Sequence, residues 1–343
     1  MAAPSQSFAE RYSRQVLFQG IGPAGQEKLL RSHAAVVGVG ATGAAAAGLL
    51  ARAGVGTLTL IDRDFVEESN LQRQVLFDEA DAQAALPKAE AARRKIAAFA
   101  GAIDVRAHVA DLVPGNIHDL LRGADIVLDA TDNFETRYLL NDYAAEQGRP
   151  WIYAAAVGSY AATMNILPGE TACLACIFPE PPGGVVETCD TAGILNTAVN
   201  LAASVEVTEA LKWLVGARDK MRRTLLSCDL WTNEWSAIAV GPPRPDCAVC
   251  GARDFAHLRG GGRPHITLCG RNSVQIHERA RPVDLTAMEA RLRPHGTVRC
   301  NDMLLRFERG PHTMTLFADG RAIIQGTSDI AVARTFYARF VGS

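Results

Sequence analysis

The chain has 343 residues, which is enough for two domains or for one large domain with an appendage. Its hydrophobic content of 48% suits a well-packed globular protein, and its formal net charge of −2 provides no basic field for nucleic acid. No apolar run reaches the roughly 18–20 residues that span a bilayer, and the N-terminus lacks the basic start and apolar core of a signal peptide. We therefore expect a cytoplasmic protein that binds neither membranes nor nucleic acid.

The first part of the chain is polar and carries two arginines ahead of any predicted strand. Residues 1–7 are predicted to be a loose tail, and a short amphipathic segment follows. Arg11 and Arg14 lie in this segment, too early in the chain to belong to a sheet. From the residues alone, both can be explained as part of a solvated helix face.

Residues 35–62 have the order strand, glycine turn, helix, strand and acid. The turn, GVGATG, places Gly38, Gly40 and Gly43 at the G-x-G-x-x-G spacing, which lets backbone N–H groups approach phosphate oxygens at a helix N-terminus. Asp62 follows 19 residues after Gly43, where an acid can accept hydrogen bonds from ribose hydroxyls. This segment predicts nucleotide binding, although a glycine turn needed only for helix–sheet packing would have the same spacing.

A polar segment follows the second predicted strand, at the edge of a doubly wound sheet where ligands bind. It brings Asn70, Gln72, Arg73 and Gln74 close together in sequence. A helix is then predicted from Pro87 onwards, with Lys88 at its start, where the helix dipole disfavours a cation. A lysine at this position is explained by a facing anion such as a triphosphate, or by solvation at the surface.

The alternation of strands and helices continues to about residue 156 and predicts an α/β fold with a doubly wound, Rossmann-like, mostly parallel sheet. Residues 126–129 are predicted to be a strand, so that Thr131, Asp132 and Asn133 follow its carboxyl end. Asp132 suits a magnesium ligand, although it could equally be a helix N-cap. Residues 150–169 are predicted to form one or two further strands.

Eight cysteines in a reducing compartment are better explained as metal ligands, catalytic thiols or buried small residues than as disulfides. Two C-x-x-C pairs supply the four thiolates that tetrahedral Zn²⁺ requires. The pairs are Cys173 with Cys176 and Cys247 with Cys250. Their separation excludes a compact zinc ribbon and predicts a structural zinc ion that joins distant segments of one domain. The alternative is a redox-active or merely buried pair.

Between the two cysteine pairs, a Pro/Gly-rich segment at 179–184 predicts a mobile crossing loop. Cys189 lies where this loop is predicted to enter a helix at about 192–215, and a thiol near a helix N-terminus can have a lowered pKa. The residues alone leave a structural and a catalytic role open for Cys189. Packing roles are predicted for Cys228, Cys269 and Cys300.

The sequence predicts a large domain at 1–258, a linker at 259–263 and a small α+β domain of unknown role at 264–343. The predicted elements of the small domain are a strand at 266–276, a helix at 284–292, strands at 298–307 and 313–324, and a helix at 329–340. The ADG sequence at 318–320 predicts a turn. No metal-ligand cluster is predicted in it.

The ordered motifs RYSRQ, GVGATG, TLIDRD…SNLQRQ, PKAEAA, DATDN, CLAC…TCDTAG and CAVC resemble the ThiF/MoeB/HesA family. These proteins are bacterial relatives of the E1 ubiquitin-activating enzymes. The resemblance extends from about residue 8 to 258. It implies an E1-like activating domain that binds ATP and Mg²⁺ at the sheet edge, with a structural Zn²⁺ site.

The resemblance also implies a reaction. The C-terminal Gly-Gly carboxylate of a ubiquitin-like sulfur-carrier protein, of the ThiS or MoaD type, attacks the α-phosphate of ATP. The products are an acyl-adenylate and pyrophosphate, and the activated carrier then accepts sulfur for thiamine, molybdopterin or related cofactor synthesis. The implied partners are this carrier, a second copy of the chain in a homodimer, and a sulfur donor such as a cysteine desulfurase or a rhodanese.

Site residues follow by matching positions. Asp62 is implied to hold the ribose, Lys88 to contact phosphates, and Asp132 to hold magnesium. Arg14 is implied to reach the partner subunit's site, and Cys189 to accept or relay the acyl group. The implied nucleotide-binding residues are Gly38, Gly40, Ala41, Gly43, Asp62, Ser69, Asn70, Arg73, Lys88, Asp132 and Asn133. The implied catalytic residues are Arg14, Arg73, Lys88, Asp132 and Cys189. Ala41 departs from the family pattern, because many relatives have glycine there.

Three other functions remain open at this point. The same adenylation could activate a peptide or a carboxylate on a modified tRNA base, although the zinc ligands and Cys189 favour a carrier. An NAD-dependent oxidoreductase would also use the glycine turn, but it has little need for several cations around one phosphate chain. A non-catalytic dimeric scaffold would not need Arg73, Lys88 and Asp132.

Overall fold

The computed structural model describes residues 10–180, 192–260, 265–268, 273–276, 282–301, 303–318 and 320–342. The chain divides into two compact units, Met1–Gly261 and Gly262–Ser343. Of the helices in the described ranges, none combines the length and the apolar character that crossing a bilayer would require.

The strands that the structure describes in the first unit join into one sheet. They are β1 (His33–Val37), β2 (Thr57–Ile61), β3 (Asp104–His108), β4 (Ile126–Asp129), β5 (Trp151–Val157), β6 (Tyr160–Ile166), β7 (Thr224–Asp229) and β8 (Glu234–Ala239). Their order across the sheet is β3-β2-β1-β4-β5-β6-β7-β8. The pairs from β3 to β5 are parallel, and the pairs from β5 to β8 are antiparallel. This order confirms the predicted α/β class and its mostly parallel central sheet.

Helices of the first unit lie on both faces of this sheet. Within the described residues they are α1 (Ser13–Leu17), α2 (Gly22–Arg31), α3 (Ala41–Ala53), α4 (Glu79–Gln83), α5 (Lys88–Ala100), α6 (Ile117–Leu120), α7 (Phe134–Gln147), α8 (Leu174–Ile177) and α9 (Asn196–Val215). The core on one face contains side chains from α3, α5 and α9, and the core on the other face contains side chains from α7 and α8. The alternating side chains of β4 explain this division, since Ile126 and Leu128 face one core and Val127 faces the other.

The alanine-rich sequence of α3 lets it lie close to the sheet and to α9. Six of its alanines are buried, and the helix ends at Gly54, which has a positive φ of 83°. The left-handed conformation suits glycine and lets its N–H reach the carbonyl oxygens of Leu50 and Ala51. The long helix α9, predicted at 192–215, begins at Asn196 in the structure.

The second unit pairs an antiparallel sheet with two helices. Its described elements are β9 (His265–Leu268), β10 (Ser273–Ile276), α10 (Leu285–Leu292), β11 (Thr297–Cys300), β12 (Leu304–Arg309), β13 (His312–Phe317), β14 (Ala322–Gln325) and α11 (Ile330–Phe340). The strand order is β11-β12-β13-β14-β10-β9. Asp284 and Asp329 cap the two helices by accepting hydrogen bonds from backbone N–H groups.

The single strands predicted at 266–276 and 298–307 are wrong, because each is two shorter antiparallel strands. In the segment predicted at 313–324, the antiparallel strands β13 and β14 lie on either side of the predicted turn. The predicted strand at 298–307 turns back at Asn301, whose side-chain oxygen accepts hydrogen bonds from the N–H groups of Met303 and Leu304 at 2.9 and 3.0 Å. An asparagine that bonds to its own backbone two or three residues on is a turn signal, and it interrupts the apolar pattern of the strand.

Candidate active site and metal centre

Three adjacent parallel strands bring the predicted site residues to one edge of the sheet. Strands β1, β2 and β4 are neighbours, and Val37 of β1 is in register with Ile61 of β2 and Asp129 of β4. The glycine turn follows β1, Asp62 follows β2, and Asp132 comes three residues after β4. Their carboxyl ends therefore form one crevice, which is where doubly wound sheets bind ligands.

The three positions of the turn require glycine to different degrees. Gly38 has a φ of 84°, and a Cβ atom there would lie 2.7 Å from the carbonyl oxygen of Ala130. A Cβ atom on Gly43 would lie 1.9 Å from the oxygen of Gly38. Packing thus requires both. Around Gly40, however, the nearest atom to a new Cβ would be Nε2 of Gln74 at 3.9 Å, so the protein itself leaves open space there.

Asp62 is held rigidly beside this turn. Its Oδ2 accepts a hydrogen bond from the N–H of Val39 at 2.6 Å, and its Oδ1 accepts one from the N–H of Asp64 at 2.7 Å. Burial raises the pKa of the Asp62 carboxyl, and the positive charge of Lys88 opposes that rise. Each carboxylate oxygen has two lone pairs, so the side chain retains acceptor capacity for a ligand.

Lys88 is buried at the start of α5, with only 3% of its surface exposed. The alternative of a solvated surface lysine is therefore wrong. Its Nζ lies 3.3 Å from Oδ2 of Asp64, and its backbone N–H donates to the Asp64 carbonyl oxygen at 2.8 Å. A buried ammonium group needs such a partner, because an unpaired charge would be costly to desolvate. The structure thus places a fixed cation beside Asp62.

The sequence reasoning missed a second cation at this edge, Arg63. Its Nη1 donates to Oδ1 of Asp111 at 2.7 Å. Burial lowers the pKa of the Arg63 guanidinium, but the negative charges of Asp111, Asp64 and Asp132 outweigh this effect and raise it. A sequence signal existed, because Asp111 follows β3, whose carboxyl end lies at the same edge of the sheet.

The helix cap after β4 is Asn133 rather than Asp132. The side-chain oxygen of Asn133 accepts a hydrogen bond from the N–H of Thr136 at 2.8 Å. Asp132 is exposed, and its charge acts on Arg63. A further buried ion pair stabilises this corner, with Nε of Arg137 3.0 Å from Oδ2 of Asp129.

The polar segment after β2 forms a short 3₁₀ helix, Glu68–Asn70, followed by turns. Asn70 is buried, and its side-chain oxygen accepts a hydrogen bond from the N–H of Glu67 at 3.1 Å. Arg73 is half-buried, and its Nη1 donates to the carbonyl oxygen of the exposed Ser69 at 2.9 Å. The side chain of Gln74 is buried against Gly40, at the distance given above.

Arg14 is not brought to this crevice. It is exposed on α1, which is fixed by the side chain of Gln15 donating to the carbonyl oxygen of Ala53 at 2.8 Å. Ala53 is the last residue of α3, while the glycine turn lies at the first. The 13 residues of α3 span about 20 Å at the usual helical rise. Arg14 therefore sits near the far end of that helix from the predicted nucleotide site. Cys189 lies outside the described residues.

The four predicted zinc ligands meet in one cluster, with all their sulfur atoms within 4.8 Å of one another. The sulfur–sulfur distances are 3.7 Å for Cys173–Cys176, 3.6 Å for Cys173–Cys247 and 3.3 Å for Cys176–Cys250. Disulfides would require about 2.05 Å, whereas thiolates around tetrahedral Zn²⁺ lie about 3.8 Å apart. The donor set and its spacing fit Zn²⁺.

The thiols of this cluster have unequal acidities. Burial raises the pKa of Cys247, but hydrogen bonds from the backbone of Cys250 and Val249 outweigh it and hold that pKa at about 7. Burial raises the pKa of Cys250 to about 11 and that of Cys173 further still. A bound cation would be needed to keep all four sulfurs ionised together.

The sequence pattern of the ThiF family matches residues 12–249. The sulfur carrier protein ThiS adenylyltransferase of Bacillus subtilis is 45% identical over 336 residues, covering 97% of this chain and 99% of that protein. The SAMP-activating enzyme E1 of Haloferax volcanii is 37% identical, over 71% of this chain and 88% of that one. The sulfur carrier protein adenylyltransferase of Thermus thermophilus is also 37% identical, over 71% and 90%.

Solved structures of Escherichia coli MccB share the fold. The crystal structure of MccB with ATP has a TM-score of 0.61 at 24% identity and covers 72% of this chain and 76% of that one. The complex of this microcin C7 biosynthetic enzyme with N-formylated MccA has a TM-score of 0.63, also at 24% identity, over 72% and 77%.

Purified protein should contain one Zn²⁺ per chain, because four clustered thiols satisfy a closed tetrahedral site. Cys176→Ser should lose the metal and lower the unfolding temperature. Cys228→Ser, at a buried cysteine outside the cluster, should retain the metal. Metal analysis by mass spectrometry together with thermal unfolding measures both effects. Less than half an equivalent of zinc in fully reduced wild-type protein would contradict the assignment.

The glycine turn offers a matched pair of substitutions. Gly43→Ala should lower the free energy of unfolding by about 2 kcal/mol or more, because the new methyl group overlaps the Gly38 oxygen. Gly40→Ala should lower it by less than about 1 kcal/mol, because only the helix cap is affected. Urea unfolding of both variants tests the distinction, and equal losses would refute it.

Proposed function

The chain belongs to the ThiF family, and from this we propose that it adenylates the C-terminal carboxylate of a ubiquitin-like sulfur-carrier protein. The carboxylate attacks the α-phosphate of ATP, the bond to the β-phosphate breaks, and pyrophosphate leaves. The carrier is then an acyl-adenylate, ready for sulfur transfer in the synthesis of thiamine, molybdopterin or a related cofactor. Relatives named for ThiS, SAMP and sulfur-carrier substrates support this choice of carboxylate.

The observation that carries the proposal is the convergence of an open glycine turn, a fixed acid and the buried Lys88 at one sheet edge. The first-turn N–H groups of α3, beside Gly40 and Ala41, have no partner within the helix and would bind phosphate oxygens. Asp62 would accept hydrogen bonds from the ribose. Ser69, Asn70 and Asn133 would line the nucleotide.

Cations placed in advance are the main catalytic requirement, because the attack brings two anions together. Lys88 is buried and held beside Asp64 in the free protein, so binding a triphosphate requires little reorganisation of it. Arg73 would contact the phosphates from the loop after β2. Asp132 would hold Mg²⁺, which neutralises charge on the departing pyrophosphate when bound.

The four clustered cysteines would hold Zn²⁺ in a structural role, since the four thiolates fill its coordination sphere and leave no open position. After adenylation, Cys189 would accept or relay the acyl group, or a sulfur donor such as a cysteine desulfurase or a rhodanese would attack the adenylate directly. The adenylation step itself needs no thiol, so the two events are separable by mutation.

A homodimer would complete the site. Arg14 lies near the far end of α3 from its own nucleotide crevice, so it would act on the crevice of the partner subunit. Leu17 and Phe18 in the same segment are 72% and 64% exposed, which favours an interface that covers them.

Removing the proposed magnesium ligand should abolish the first half-reaction. Asp132→Ala should reduce carrier-dependent exchange between ATP and pyrophosphate by on the order of 10²-fold or more. Without its ligand, Mg²⁺ would no longer be held where it neutralises the negative charge of the phosphates in the transition state. Glu135→Ala is the matched control, since Glu135 is an exposed acid in the first turn of α7. Wild-type exchange in Asp132→Ala, or an equal loss in the control, would remove Asp132 from this role.

Arg14 can be tested by mixing inactive chains. In a dimer of one Arg14→Ala chain and one Asp132→Ala chain, one site is intact and the other is doubly damaged if Arg14 acts across the interface. Random reassortment should then restore about a quarter of wild-type exchange, since half of the dimers are mixed. No recovery in samples shown to have exchanged subunits would argue that Arg14 acts on its own subunit or not at all.

A further inference from the structure

The net charge of the whole chain conceals two oppositely charged parts. Residues 262–343 contain twelve arginines, no lysine and seven acidic residues, which gives a formal net charge of +5. Residues 1–261 carry −7 on the same count. The second unit therefore has an electrostatic character that the overall value of −2 does not reveal.

Part of this positive charge gathers around one open cavity. It has a volume of about 160 Å³ and is lined by Arg291, Leu292, His295, Arg309, Arg339 and Phe340. The guanidinium carbons of Arg309 and Arg339 lie 5.3 and 5.4 Å from the centre of the Phe340 ring. Arg291 donates a hydrogen bond to the Phe340 carbonyl oxygen. Three guanidinium groups thus converge on a single buried residue.

These guanidinium groups retain N–H donors that form no hydrogen bond with the described residues. Arg291 and Arg309 each use an N–H group on a carbonyl oxygen, Arg309 with that of His295 at 3.0 Å. A guanidinium group has five N–H donors. Among the residues that the structure describes, no carboxylate forms an ion pair with the three arginines of the cavity.

The acidic side chains nearest in sequence are engaged elsewhere. Glu289 pairs with Arg293 at 2.8 Å, and Glu308 pairs with Arg306 at 3.1 Å. Arg291 also donates a hydrogen bond to the carbonyl oxygen of Phe340, the last residue of α11. Its positive charge therefore partly compensates the negative end of that helix dipole. The cavity is consequently positive, and no described acidic group neutralises it.

We propose that this cavity, which we call the arginine pocket, binds a phosphate group. Arginine forks match phosphate geometry and form charge-assisted hydrogen bonds to it. A tetrahedral dianion offers enough oxygens to engage three guanidinium groups and His295 together, whereas a carboxylate offers two. The arginine pocket is independent of the nucleotide crevice, because it belongs entirely to the second unit.

Binding of orthophosphate to the full chain, measured by calorimetry at low ionic strength, tests the proposal. Arg339→Gln removes one guanidinium group and leaves the hydrogen bonds of Arg291 and Arg309 in place. It should weaken binding by about tenfold, as expected for a lost charge-assisted hydrogen bond. Arg299→Gln is the matched control, because Arg299 is exposed in the same unit but does not line the cavity.

The control should change the affinity by less than about twofold, since exposed charges outside the pocket are screened. Parallel titrations with glycerol 3-phosphate and with acetate distinguish a phosphate ester, free phosphate and a carboxylate. Equal effects of the two variants, acetate binding as tight as phosphate, or no saturable phosphate binding by wild-type protein would each overturn the proposal. Phosphate bound only at the nucleotide crevice would leave both variants equal to wild type.

Discussion

A buried ammonium group organises the nucleotide crevice. Lys88 has almost no exposed surface, so its charge must be balanced by groups that the fold holds in place. Asp64 provides the direct contact and Asp62 adds its negative charge. Backbone hydrogen bonds from Val66 to Leu86 and from Lys88 to Asp64 join the loop after β2 to the start of α5. Asp62 accepts hydrogen bonds from Val39 in the glycine turn and from Asp64 in the same loop, so a chain of hydrogen bonds connects the turn, the acid and the start of α5.

The cysteine cluster brings two distant segments together on the antiparallel side of the sheet. Cys173 and Cys176 follow β6, while Cys247 and Cys250 follow β8. Strand β8 is an exposed edge, and the segment beyond it has little regular structure to hold it. A metal ion bound by cysteines of both segments would hold the segment after β8 against the core that contains α7.

The sequence predicts the parallel half of the fold well, because each element carries a local signal. The glycine turn, the alanine-rich α3 and the apolar strands each favour one conformation, and the C-x-x-C pairs predict the cluster by ligand count. The missed features depend on tertiary neighbours. Arg63 and Asp111 meet only because β2 and β3 are adjacent in the sheet, and the burial of Lys88 follows from the loop that covers it. The strand predicted at 298–307 was not divided, because the turn depends on hydrogen bonds from the Asn301 side chain to its own backbone, which the apolar pattern of the segment does not reveal. The net charge of the whole chain likewise did not reveal that one unit is basic and the other acidic, because the two charges largely cancel.

The crevice is proposed to transfer AMP to a carrier carboxylate. Incubation with ATP, Mg²⁺ and a carrier ending in Gly-Gly, followed by acid quench and intact-mass analysis, measures this transfer directly. We expect a carrier species heavier by one adenylyl group, formed with release of pyrophosphate, and no such species from a carrier lacking its last glycine. ATP turnover without an adenylylated carrier, under conditions where the bound carrier is shown to saturate the enzyme, would contradict it.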